Sequence, residues 1–149
     1  MKTFNYYEYN SKRFDTSAEA EQVRNFIFAF KDGKQWATDY AADMVVNSFV
    51  DTYGDKASDF VLVCAPAANN KKYCKRFNRF AQMVSKGARV QNGNEHISIY
   101  GERTAKHLTA DRVCESFGYC VRLDRDYFKG KKVIIFDDVI TSGATANEF

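Results

Sequence analysis

Val133-Ile134-Ile135-Phe136-Asp137-Asp138-Val139-Ile140-Thr141-Ser142-Gly143-Ala144-Thr145 is the stretch that decides how this chain folds. Val133–Phe136 is short, apolar and mostly β-branched, and Gly130-Lys131-Lys132 leads into it. Such a run predicts a strand buried on both faces, as in a parallel sheet. Asp137 and Asp138 stand where that strand ends. Val139 and Ile140 follow, then a polar turn of small residues, Thr141 to Thr145. Folding alone does not ask for two carboxylates at a strand mouth followed by hydroxyls and a glycine. Ligands of open α/β sheets bind beyond the carboxyl ends of the strands, so this corner is the candidate site.

The chemistry of the corner follows from its residue types. Backbone N–H groups of a small-residue turn can converge on an anion, and Thr141, Ser142 and Thr145 add hydroxyl donors. Gly143 lets the backbone approach closely. A helix starting near Thr145 would aim its positive dipole end at the same spot. A phosphate is the natural occupant. Asp137 and Asp138 cannot bind a phosphate, because like charges repel. They are acceptors, suited to sugar hydroxyls or, through water, to Mg2+. An anion cradle beside two diol acceptors describes a site for a ribose phosphate.

At every position from Val133 to Thr145 the stretch resembles the phosphoribosyl pyrophosphate (PRPP) motif of the type I phosphoribosyltransferases. The resemblance implies that Asp137 and Asp138 contact the ribose 2- and 3-hydroxyls. It implies that Ile140, Thr141, Ser142, Gly143, Ala144 and Thr145 wrap the 5-phosphate. A Mg2+ cofactor is expected, with Asp137 and Asp138 as its protein ligands, directly or through water. The implied reaction transfers the phosphoribosyl group from PRPP to a nitrogen nucleophile and releases pyrophosphate, a step of nucleotide metabolism. The implied fold is α/β, a mainly parallel sheet flanked by helices.

Working outward, Asp15-Thr16-Ser17 with Glu19 reads as a helix start, and that helix is expected to reach about Phe30. Asp32-Gly33 breaks it. A second helix is predicted over Gln35–Tyr53, with Trp36, Tyr40, Met44, Val45 and Phe49 as its core-facing stripe. Phe60–Ala65 reads as a strand, followed by a small-residue loop, Pro66 to Asn70. Lys71-Lys72-Tyr73-Cys74-Lys75-Arg76 leads into a third helix, whose apolar side carries Phe77, Phe80, Ala81, Met83 and Val84 and which Gly87 closes. A short strand near Val90, a half-exposed strand over His96–Tyr100 and a strand over Cys120–Leu123 complete the pattern. Strands alternating with helices mark the α/β class. The chain is expected to form one domain, with a helical N-terminal part over 1–58 and a PRPP-binding core over 59–149.

A transferase of this kind must also hold pyrophosphate, which the family does with a short loop after an earlier strand. Ala65, Pro66 and Ala67 fall in the matching place, with Lys71, Lys72 and Arg76 beside them to neutralise charge. Lys75-Arg76-Phe77-Asn78-Arg79-Phe80-Ala81 also resembles a segment of the ComF-like subgroup, with Arg76 where that subgroup usually has glycine. The family further has a mobile loop that closes over PRPP and excludes water as the anomeric carbon gains positive charge. Gly101-Glu102-Arg103-Thr104-Ala105-Lys106-His107 is the candidate, with Arg103 and Lys106 as the catalytic cations. His96 is expected to hydrogen-bond structurally. The family continues past the phosphate loop with a full helix and usually two more strands. Ala146–Phe149 offers one turn, so a truncated chain, an edge completed by a neighbouring subunit and a shortened relative are all open.

Composition limits the alternatives. The 149 residues balance 22 Lys+Arg against 19 Asp+Glu for a net charge of +3, which is too weak to argue for nucleic acid but suits a polyanionic small substrate. No apolar run reaches membrane-spanning length and no signal peptide is visible, so a cytoplasmic location without membrane contact is the expectation. Cys64, Cys74, Cys114 and Cys120 lack zinc-site spacing and read as reduced, mostly buried thiols. The expected partners are PRPP, a nitrogenous acceptor and a second copy of the chain in a homodimer. A non-catalytic, ComF-like or regulatory module that binds PRPP or a nucleotide is the competing reading.

Overall fold

The structure is a computed structural model that describes residues 4–103 and 116–139. It is a mixed α/β fold with a small three-stranded parallel sheet flanked by helices. Helix α1 (Ala18–Lys31) starts where the sequence places a cap: Ser17 Oγ accepts from Ala20 N at 3.3 Å. Glu19 and Glu21 in its first turn and Lys31 in its last complement the helix dipole. Arg24 is buried on this helix, and its guanidinium donates to the carbonyls of Asn10 (2.9 Å) and Asp15 (2.8 Å), tying down the preceding segment.

Helix α2 (Gln35–Tyr53) has the predicted bounds, but of its predicted core stripe only Val45 and Phe49 are buried. Ala37, Thr38, Ala41, Ala42, Val45 and Phe49 are buried, whereas Trp36 is 59% and Tyr40 49% exposed. Small residues explain the difference. The alanines let α2 pack closely on the third helix, where a Cβ on Gly87 would lie 2.8 Å from Val46 Cγ2. The larger aromatics are turned to the flank, where Phe26 meets Tyr40 and Trp36 at ring distances of 5.4 and 6.1 Å.

Strand β1 (Phe60–Cys64) is the centre of the sheet and is buried from Val61 onward. Helix α3 (Asn70–Ala88) follows after the loop over residues 65–69. Asn69 caps it, accepting from Lys72 N at 2.8 Å, so Lys71–Arg76 form its first turns and do not precede it. Tyr73, Phe77, Phe80, Ala81, Val84 and Ala88 give α3 one continuous buried face. The helix runs one residue past Gly87 and ends on Arg89 in the left-handed region.

The sheet order is β2-β1-β5, all parallel, where β2 is Gln91–Asn92 and β5 is Lys132–Phe136. Val61 pairs with Val133 and Cys64 with Phe136. Gly93 follows β2 directly, and a Cβ there would meet Val61 Cγ1 at 2.5 Å, so only glycine lets this turn lie against β1. β5 is less buried than predicted: Val133 is exposed and Ile134, Ile135 and Phe136 are half-buried. Among the described residues β5 pairs on one side only, with β1.

Strands β3 (Ile97–Arg103) and β4 (Ser116–Leu123) form a separate antiparallel pair, with a register shift between Tyr100 and Glu102. Gly101, Glu102 and Arg103, expected in a mobile loop, therefore belong to a strand. Ile97 and Ile99 join the core, while Ser98 and Tyr100 face outward. His96 precedes the strand in a 3-10 turn, where Nδ1 lies 3.2 Å from Asp124 Oδ2 and the ring stacks on Tyr127. This is the structural role expected of it. A one-turn helix α4 (Arg125–Phe128) joins β4 to β5. Among the described residues no helix is long and apolar enough to cross a membrane.

Candidate functional site

Phe136 ends β5 and carries the two acids on the next residues. Its ring packs against Phe80 (4.2 Å), Phe30 (5.9 Å) and Phe77 (6.3 Å), so the strand end is fixed by α1 and α3 together. The carboxyl end of β1 lies beside it, since Ala65 N donates to Phe136 O at 2.8 Å. Parallel pairing thus brings the Ala65–Asn69 loop and the Asp137-Asp138 pair to the same end of the sheet. Ala65 and Ala67 are buried there, and Pro66 lies between them in an equally buried backbone.

The two carboxylates have different surroundings. The Asp138 side chain is only 7% exposed and is held by two cations. Arg76 Nη1 donates to its Oδ2, and Lys31 Nζ lies 3.5 Å from its Oδ1. Asp137 Oδ1 accepts from Asp138 N at 2.8 Å. Burial, and then the negative charge of Asp138, push the Asp137 carboxyl up to about 6, while that backbone hydrogen bond and Lys31 offset part of the rise. One acid is therefore a clamped anion and the other a half-buried group that titrates close to neutrality.

The β3–β4 pair closes on the same end. Arg103 N donates to Ala68 O at 2.8 Å, and Tyr119 Oη donates to Ala67 O at 3.0 Å. Asn69 Nδ2 donates to Glu102 Oε1 at 2.9 Å. The Arg103 guanidinium sits 5.1 Å from the Tyr119 ring centre. Below the loop, Asn94 Oδ1 accepts from Cys64 N at 2.7 Å, which replaces a ladder bond that β2 is too short to supply. Burial pushes the Cys64 thiol up to about 12.

Of the residues expected in the site, Asp137, Asp138, Ala65, Pro66, Ala67, Arg76 and Arg103 gather around this sheet end. Lys71 and Lys72 lie on the exposed first turn of α3. Lys106, Ile140, Thr141, Ser142, Gly143, Ala144 and Thr145 lie outside the described residues, as do His107 and Cys114. Arg76 spends its charge on Asp138 here. Sequence reasoning missed Lys31, Asn69, Asn94 and Tyr119. Asn69 carried a readable signal, an Asn directly before a helical run, but the other three depend on contacts distant in sequence.

A Mg2+ ion bound with substrate phosphates needs only one or two protein carboxylates, which Asp137 and Asp138 could supply. Among the described residues no group of three or more His, Cys, Asp or Glu converges as a self-contained metal site. Cys64 is buried, Cys74 partly buried and Cys120 exposed, so the expectation of mostly buried thiols fails at Cys120, and all three are free. No protein-family model, curated protein or solved structure matches the chain.

Proposed function

We propose that the chain binds PRPP with Mg2+ and transfers its phosphoribosyl group to a nitrogen nucleophile, as a protein of the type I phosphoribosyltransferase kind. The observation that carries this reading is the pairing of β1 with β5. It sets an acid pair beside a buried small-residue loop at the carboxyl edge of a parallel sheet. The carboxylates suit the ribose hydroxyls, and the loop over residues 65–69 suits an oxyanion of the leaving group. The β3–β4 pair supports the reading too. Arg103, at the end of β3 and paired with Ser116, donates its backbone N–H to Ala68 O in the loop after β1.

In this mechanism the protein binds, orients and neutralises. Asp137 and Asp138 hold the sugar hydroxyls while positive charge grows at the anomeric carbon, and Arg103 and Lys106 offset the charge of departing pyrophosphate. A Mg2+ ion carried on the PRPP phosphates supplies further charge neutralisation when bound. Because Asp137 titrates near 6, its proton competes with the ligand, and binding is expected to weaken below that pH.

Titration calorimetry with PRPP, with and without Mg2+, tests the reading. Metal-dependent binding is expected, followed by pyrophosphate release when bases or amines are offered. A chain that binds no PRPP under either condition would sink the proposal. Binding with no release to any acceptor would leave a non-catalytic binding module.

A further inference from the structure

Phe30, Phe77 and Phe136 touch one another in the core. Lys31 and Arg76, next to the first two in the chain, and Asp138, two residues past the third, form an ion cluster above that aromatic layer. Three segments far apart in sequence thus contribute one charge each. The cluster is built so that each Asp138 oxygen has its own cation. The cations are more accessible than the anion: the side chains of Lys31 and Arg76 are 34% and 17% exposed against 7% for Asp138.

The guanidinium is also under-used. It meets Asp138 through one nitrogen, and its buried Nε has no hydrogen-bond partner among the described residues. A guanidinium is best satisfied by two parallel bonds to an oxyanion, which this end-on contact does not give. Lys71, Lys72 and Lys75 on α3 make no ion pair among the described residues. Gly33 presses against the Lys75 carbonyl, so the corner after Lys31 is docked on that same basic stretch. A carboxylate that satisfies two cations incompletely resembles a smaller anion standing in for a larger one.

We propose that Lys31 is a diphosphate ligand of this site, acting with Arg76 as a two-cation clamp for which the Asp138 carboxylate is the internal stand-in. Ligand hydroxyls or metal that engage Asp138 release the clamp, and the clamp then takes the diphosphate of the same ligand. The hand-off rests on the phosphoribosyl reading; the clamp itself needs only a diphosphate. It also accounts for an α1 residue reaching a site otherwise made by β1, β5 and α3.

Inorganic pyrophosphate alone, titrated calorimetrically into the whole chain with a chelator present, is the probe. Lys31→Met should weaken binding about fivefold or more, and Lys31→Arg should keep it within about twofold. Asp138→Asn should tighten binding about tenfold by freeing both cations. Asp39→Asn, which frees Arg79 on the same helix by the same change in charge, should move it less than about twofold. Unchanged affinity in Lys31→Met overturns the proposal, and so does an Asp138→Asn gain that survives in the Lys31→Met/Asp138→Asn double variant. So does the absence of binding by both the unmodified chain and Asp138→Asn. Lys31 is partly exposed, so its variants stand in should Asp138→Asn fail to fold. A pyrophosphate response without PRPP binding would sink the phosphoribosyl reading and keep the clamp. PRPP binding with no response to Lys31→Met would do the reverse.

Discussion

Asp137 is placed against its own chemistry. Phe136 draws the strand end into an aromatic cluster, and the next residue is a carboxylate that loses part of its water as a result. Asp138 takes both available cations, so Asp137 keeps the cost of burial and of a like-charged neighbour. The sign of the consequence is fixed. A carboxyl raised from 3.8 to about 6 binds more protons in the folded than in the unfolded chain between those values. Stability therefore falls as pH rises through that window, and the full cost applies above it. Asp137→Asn removes the charge and keeps an oxygen to accept from Asp138 N. In metal-free buffer at pH 7.5 it should be more stable than the unmodified chain by on the order of 1–3 kcal/mol, with the gain fading toward pH 4. Urea unfolding at several pH values measures this. A constant difference across the range would show that Asp137 is not the group at work.

Between elements, the corner joining α1 to α2 matters more than its length suggests. Gly33 has φ +66, and a Cβ there would stand 2.8 Å from the Lys75 carbonyl oxygen. Gly54 has φ +51 but open space around it. Gly54→Ala should therefore cost only the backbone conformation, about 1–3 kcal/mol at φ +51 and ψ −129, while Gly33→Ala should cost more, about 3–4 kcal/mol, because the corner must also lift off α3. Denaturant midpoints of the two variants give the comparison. Equal costs would mean that the corner yields freely. The local signals here were legible in the sequence. Ser17 and Glu19 marked the start of α1, Asp32-Gly33 its end, and the apolar spacing of Phe77, Phe80 and Val84 the buried side of α3. The run Val133–Phe136 marked a strand. What failed were judgements needing a neighbour. Trp36 and Tyr40 read as core because their helical spacing aligns them with Val45 and Phe49, yet Ala37, Thr38, Ala41 and Ala42 are the residues buried with those two. Arg76 meets Asp138 across 62 residues and Lys31 across still more, and no local pattern encodes that.

The described residues are tied together by one core. Phe30, Ala41, Val45 and Phe49 from the N-terminal helices share a buried cluster with Val61–Cys64, Phe77, Phe80, Ile97 and Ile99. The antiparallel pair is not a separate unit, because Ile97 and Ile99 enter that cluster and Arg103 and Tyr119 bond the loop after β1. A shared core of this kind predicts one cooperative transition. The cysteines can report it residue by residue. Cys120 is exposed and should react with a thiol reagent in the native protein at a rate set by its own chemistry. Cys64 is fully buried in the central strand, with a thiol held mostly protonated up to about pH 12, so it should react only after unfolding. Its labelling rate, read by peptide mass spectrometry across denaturant concentrations, should rise with the same denaturant dependence as the far-ultraviolet circular dichroism transition, which reports mainly α1, α2 and α3. A shallower dependence for Cys64 would show that β1 opens by itself beneath intact helices. The sheet end carrying Asp137 and Asp138 would then be able to loosen without the rest of the fold, because β5 pairs with β1 through residue Cys64 itself.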